Sequence, residues 1–101
     1  MIARLWHGAT PASRSDAYLQ FLMRTGIPDY AKTAGHRGTQ ILVRTEGDVA
    51  HFLLISLWDS MEAIRRFAGP EADRAKYYPE DPEYLLELEP TVVHYEVAFP
   101  T

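Results

Sequence analysis

Cysteine is absent from this chain, which excludes disulfides, thiolate nucleophiles and cysteine-based zinc sites. Positive charge is scarce: 10 Lys and Arg stand against 14 Asp and Glu, a net charge of -4. A nucleic-acid partner would need a Lys/Arg stripe to meet its phosphates, so none is expected. No apolar run reaches the roughly 20 residues of a membrane-spanning helix. The first residues also lack the basic-then-apolar layout of a signal peptide. The expectation is a soluble, cytoplasmic protein with no membrane partner. The glycines are isolated stops rather than a phosphate-cradling loop, and Ser13, Ser15, Ser56 and Ser60 have no nucleophile elbow around them. Repeats, low-complexity tracts and linkers are missing too, so residues 1–101 read as a single domain.

What is present is a clear alternation of strands and helices. Ile2 to His7 reads as a strand ended by Gly8, and Thr10-Pro11 predicts a helix start with a hydroxyl cap and proline in the first turn. Ala17, Tyr18, Phe21 and Leu22 recur at helical spacing until Gly26 stops the run, and Pro28 restarts a short turn through Tyr30. Thr39 to Thr45 is β-branched, Glu46-Gly47-Asp48 is a hairpin turn, and Val49 to Trp58 is the next strand. Asp59 with Glu62 reads as a capping box ahead of a buried stripe of Met61, Ile64, Phe67 and Ala68, which Gly69-Pro70 ends. Further helical turns are expected over 71–78 and at Asp81-Pro82, and a fourth strand over Thr91 to Phe99. The late acidic residues, Asp81 and Glu89 among them, read as a solvated face.

The order βαββαβ predicts an α+β, ferredoxin-like fold: a four-stranded antiparallel sheet with both helices on one face. Val49 to Trp58 is apolar on both faces. One set of its side chains goes under the helices, and the other needs a second sheet, most simply that of a second copy. A homodimer is therefore expected. His7 and His51 share parity with Leu5, Leu53 and Ile55, which read as the helix-side core, while Phe52 and Leu54 read as the dimer side. Arg4, Arg44 and Glu96 fall at even positions and are expected to pair at the sheet–sheet interface.

This element order, together with Leu57-Trp58-Asp59-Ser60-Met61-Glu62-Ala63 and the two-sided strand, resembles the antibiotic biosynthesis monooxygenase (ABM) family over almost the whole chain. The resemblance implies a dimeric α+β barrel with ligand pockets between sheet and helices. It also implies activities ranging from cofactor-independent oxidation of polycyclic phenols to haem degradation, and related barrels include lactone isomerases. Family members often carry a histidine on the second helix, where this chain has Phe67. The haem-degrading branch has a tryptophan there and a histidine ten residues on, where this chain has Phe67 and Tyr77. The usual axial ligand is thus missing.

No cofactor and no metal are expected, because the four histidines are dispersed without a ligand-spacing motif. Topology brings His7, His51 and His94 toward one end of the sheet. A histidine there is the natural base, and His51 or His7 is the candidate. Tyr18, Phe67 and Tyr77 are expected to shape one pocket with them for a small aromatic or polycyclic ligand. The leading expectation is metal-free oxidation of a phenol. The alternatives are a proton-transfer isomerase or cyclase, and a non-catalytic ligand-binding or stress-related barrel.

Overall fold

A computed structural model describes residues 1–99. Strands β1 (Ile2–Pro11), β2 (His36–Glu46), β3 (Val49–Trp58) and β4 (Val93–Glu96) form one antiparallel sheet in the order β2-β3-β1-β4. Helices α1 (Ser15–Arg24), α2 (Gly26–Ala31) and α3 (Met61–Ala68) pack against one face. The architecture is the ferredoxin-like one.

Strand alternation decides which residues face the helices. On β3 the buried set is Ala50, Phe52, Leu54, Ser56 and Trp58, and on β1 it is Arg4, Trp6, Gly8 and Thr10. These pack with Tyr18, Phe21 and Leu22 of α1, Tyr30 of α2, and Ala63 and Ile64 of α3. The expected faces are therefore reversed. Phe52 and Leu54 lie under the helices, while Leu53 and Ile55 lie on the open face. Hydropathy could not separate two faces that are both apolar. Arg4 likewise sits under the helices, 1% exposed, rather than at a sheet–sheet interface.

Several boundaries also move. β1 runs through Gly8, because the Trp6 indole lies across it: a Cβ at Gly8 would come within 2.4 Å of the Trp6 ring. Pro11 ends the strand in extended geometry, and one 3-10 turn (Ala12–Arg14) precedes α1. Gly26 begins α2 instead of merely ending α1. The hairpin at Gly47-Asp48 is as expected, with Gly47 at φ 59° supplying the positive dihedral of a two-residue turn. Residues 69–92 form an extended strap rather than helix, with a single 3-10 turn at Asp81–Glu83. The strap bonds to itself instead, Ala75 N–H to Pro90 O at 3.0 Å and Val92 N–H to Asp73 O at 2.8 Å. β4 is correspondingly shorter than the expected 91–99.

The cap of α3 is Ser60, whose hydroxyl accepts from Ala63 N–H at 3.2 Å. Asp59 is engaged elsewhere, accepting two bonds from Arg37 at 2.6 and 2.9 Å on the exposed surface. Loss of an N-cap hydroxyl costs about 1 kcal/mol, whereas an exposed ion pair contributes less. Urea denaturation of Ser60→Ala should show the larger loss and Asp59→Ala the smaller; the reverse order would return the cap to Asp59.

Candidate functional site

Between the sheet and the helices lies a crevice built from both ends of the sequence. Arg4, Trp6 and Leu54 form its floor, Tyr30 and Phe67 line it from α2 and α3, and Lys76, Tyr78 and Asp81 close it from the strap. As it stands it holds about 20 Å³ of free space, little more than a water occupies.

Its polar character comes from two donors on one strand. The Arg4 guanidinium donates from Nη1 to Ala72 O at 2.8 Å and from Nη2 to Arg74 O at 3.2 Å. Nη1 also meets His94 Nε2 at 3.3 Å. Arginine can only donate, so His94 accepts there and carries its proton on Nδ1, which faces Asp73 Oδ1 at 3.2 Å. Burial, and then the Arg4 charge, lower the His94 pKa. Arg4 Nε and Trp6 Nε1 are buried with no hydrogen-bond partner, and no carboxylate is directly ion-paired with Arg4 among the described residues. Burial pulls the Arg4 pKa below its ordinary value. Each unsatisfied buried donor costs roughly 1–3 kcal/mol, which an acceptor entering the crevice would recover.

The walls are aromatic. Tyr30 and Phe67 stack at 4.5 Å between ring centroids, and Trp58 packs behind both. Lys76 Nζ lies 4.3 Å from the Phe67 ring centre and donates to Phe67 O at 3.3 Å. The Tyr78 hydroxyl donates to Asp29, which pulls that carboxyl below its ordinary pKa. Asp81, 2% exposed, accepts from Tyr18 OH at 2.8 Å and from Tyr78 N–H at 2.7 Å. Its place in the acidic stretch hid that burial. Nor did any sequence signal mark Arg4 as buried or Trp6 as a crevice donor; the open question of strand parity stood in the way.

Of the residues expected to share one pocket, Tyr18 and Phe67 line the crevice. Tyr77 stands beside it, edge-on to Trp6 at 6.0 Å, with its hydroxyl donated to Glu89 O at 2.5 Å and its pKa pushed up to about 12 by burial and the Glu89 charge. His7 and His51 lie on the opposite face of the sheet, so the single shared pocket is not formed. They do meet one another: His7 Nε2 is 3.1 Å from His51 Nδ1, and His7 Nδ1 is 2.5 Å from Glu89 Oε2. A hollow of about 320 Å³ opens beside them, lined by Leu42, Val43, Arg44 and Leu53. His94 belongs to the other face with Arg4.

This sheet-and-helix arrangement recurs in solved structures. A protein of Bacillus cereus described provisionally as an antibiotic biosynthesis monooxygenase superposes with a TM-score of 0.71, at 17% identity, covering 100% of this chain and 94% of that one. The heme degrader MhuD of Mycobacterium tuberculosis, with two hemes in its active site, gives 0.65 at 16% identity, covering 100% and 99%. A MhuD mutant holding two manganese protoporphyrin IX per active site gives 0.65 at 14%, covering 100% and 98%. The chain has their fold. No family model matches the sequence, and no curated protein does. Heme itself is a poor fit to this crevice. Axial ligation calls for a side chain such as His, Cys or Met, or a free Tyr, and none of the first three lines the crevice among the described residues. Two of its three tyrosine hydroxyls, those of Tyr18 and Tyr78, are donated to carboxylates.

Asp81 makes the crevice measurable through pH. Burial raises its pKa above the ordinary carboxylate value, outweighing the bonds from Tyr78 N–H and Tyr18 OH that lower it. The folded state then holds the proton more tightly than the unfolded one, so stability falls as pH rises from about 4 through the raised value. Asp81→Asn keeps an acceptor oxygen and removes the titration. Urea midpoints measured across pH 4 to 8 should decline less with pH in Asp81→Asn than in the parent chain. Parallel curves would place the Asp81 pKa at its ordinary value.

Proposed function

We propose that the chain is a homodimeric small-molecule-binding protein. Its crevice takes a planar aromatic molecule carrying an anionic oxygen, a phenolate above all. The observation that carries this reading is the pair of buried, unpartnered donors, Arg4 Nε and Trp6 Nε1, lining an aromatic-walled crevice. A phenolate oxygen would accept from both and give the Arg4 guanidinium the directly paired anion it lacks. Its ring would stack among Trp6, Tyr30 and Phe67. At about 20 Å³ the crevice must widen to admit a ring, and Lys76 and Tyr78, which close it from the strap, are the side chains that would move outward.

Stabilising a phenolate also suits metal-free oxygenation. An electron-rich ring anion gives electrons directly to O₂. For a ring CH₂ that becomes C=O, one O₂ supplies the carbonyl oxygen and the other oxygen leaves as water. In the crevice the charge of Arg4, rather than a histidine, would favour the anion, and Asp81 is the one carboxylate among the lining residues. Heme binding in the MhuD structures supports a ligand site in this fold in general terms.

Dimerisation is assigned to the open sheet face. Leu5, Leu42, Leu53, Ile55, Leu57 and Val93 share it, Leu42 and Val93 are about half exposed, and all three helices pack against the other side. So large an apolar face is rarely left bare.

Two measurements test the reading. Titration with p-nitrophenol should develop the yellow phenolate band at a pH where the free phenol is mostly protonated. Trp6→Phe should weaken binding several-fold, and Arg4→Gln should remove the band shift. Binding of the neutral form alone would reject the anion site. In sedimentation, Ile55→Lys should shift the protein from dimer to monomer at micromolar concentration, because the dimer would bury an unpaired charge. A monomeric parent chain would refute the dimer outright.

A further inference from the structure

The imidazole pair on the open face has a hydrogen-bond logic of its own. A carboxylate oxygen accepts, so the 2.5 Å contact with Glu89 Oε2 assigns the His7 proton to Nδ1. His7 Nε2 is then a bare lone pair, and the 3.1 Å contact requires His51 to donate from Nδ1. His51 Nε2 is consequently left bare, the terminal acceptor of a carboxylate–imidazole–imidazole relay. The two rings are held nearly parallel, 27° apart with centroids 5.3 Å from each other. Glu89 is itself anchored by Tyr77 OH on its carbonyl. A base whose tautomer and orientation are fixed by a second and third group is the arrangement general-base catalysis uses.

The surroundings specify what such a base would act on. The hollow beside the pair is lined by Leu42, Val43 and Leu53 for an aliphatic tail, and by Arg44 for an anion. Arg44 sits opposite His51 on β2, and its guanidinium is 67% exposed and bonded to Glu46 at 2.6 Å. The charged groups facing the pair are thus Glu89 from the strap and Arg44 with Glu46 from β2. The hollow lies at the end of the face near the Gly47 turn, away from Ala3 and Leu57 at the other end. Leu42 and Leu53 also belong to the apolar face assigned to the dimer, so the site requires a second copy to dock over Leu5, Ile55, Leu57 and Val93 and leave those two uncovered.

We propose that Glu89, His7 and His51 form a second, acid–base site, separate from the crevice, in which His51 Nε2 removes a proton from a small carboxylate-bearing carbon acid. Arg44 pairs with the substrate carboxylate. The C–H bond breaks, its electron pair forms the enolate with the charge on the carbonyl oxygen, and the proton rests on His51 Nε2. The reverse step returns a proton from the imidazolium to carbon. No oxidant or cofactor enters the balance. This site does not depend on the crevice reading, since no residue is shared.

The probe is 4-methyl-2-oxopentanoate in D₂O, with loss of the C3 proton signal followed by NMR. The parent chain should exchange these protons well above the buffer rate. His51→Gln should lose at least ~100-fold, the lower range of a general base. Arg44→Gln should raise KM with little change in kcat, and Glu89→Gln should lower kcat and alter the pH profile, as a positioning residue would. Exchange at the buffer rate, or exchange that survives His51→Gln, overturns the proposal. Because a substitution in the relay can disturb folding, the parent chain is also read by nitrogen-15 NMR. Both rings should carry the proton on Nδ1 at pH 8, and an Nε2-protonated His51 overturns the proposal.

Discussion

A guanidinium buried beneath helices must be held by something, and what holds Arg4 ties together parts of the chain that are otherwise distant. Its donors reach Ala72 O and Arg74 O in the strap and His94 on β4, and His94 carries the influence of Asp73 back toward it. Phe67 of α3 faces the same cation at 5.9 Å. The strap has almost no regular structure of its own, so these bonds are a large part of what positions it over the sheet. Neutral carbonyls and one imidazole satisfy the Nη atoms without neutralising the charge. The crevice therefore combines a fixed scaffold with an electrostatic deficit, the combination on which ligand selectivity rests.

The sheet separates two kinds of chemistry by the simple alternation of its strands. Along β1, Arg4 and Trp6 point one way and His7 the other. The helix side is aromatic, and the Arg4 cation is buried in it. The open side is aliphatic at its centre, with titratable groups gathered at one end. A strand with period two places these neighbours on opposite sides of a layer one residue thick. A single backbone shift of one position would exchange the two environments, which is why the β1–β3 register is strongly specified.

Much of this was legible from residue patterns. The βαββαβ order, the hairpin at Gly47 and the burial of Tyr18, Phe21 and Leu22 follow from periodicity and turn chemistry alone. The meeting of His7 with His51 followed from topology and shared parity. The face they occupy did not, because both sides of β3 are apolar and hydropathy cannot rank two equal choices. Burial of Arg4 and Asp81 was hidden for a related reason. Charged residues are exposed by default, and the strap, whose path proline-rich sequence does not encode as helix or strand, both folds over Arg4 and carries Asp81 in against Tyr18. Gly8 misled in the opposite sense: it is the gap that lets the Trp6 indole lie flat, not a terminator.

The brevity of β4 bears on how the chain acquires its shape. β1 is ten residues long, but β4 covers only Ile2 to Leu5, and the strap completes that edge through Leu86 N–H on Ala9 O at 2.8 Å. Both covers come from the last fifth of the sequence. During synthesis β1 can pair with β3 as soon as the hairpin has emerged, while its outer edge waits for residues 86–96 to arrive. Closure across nearly the whole chain is slow, and a bare strand edge is the usual template for misassociation. The vulnerable interval of folding is thus the one just before the C-terminal segment docks, and truncations there would leave a folded half with an adhesive flank.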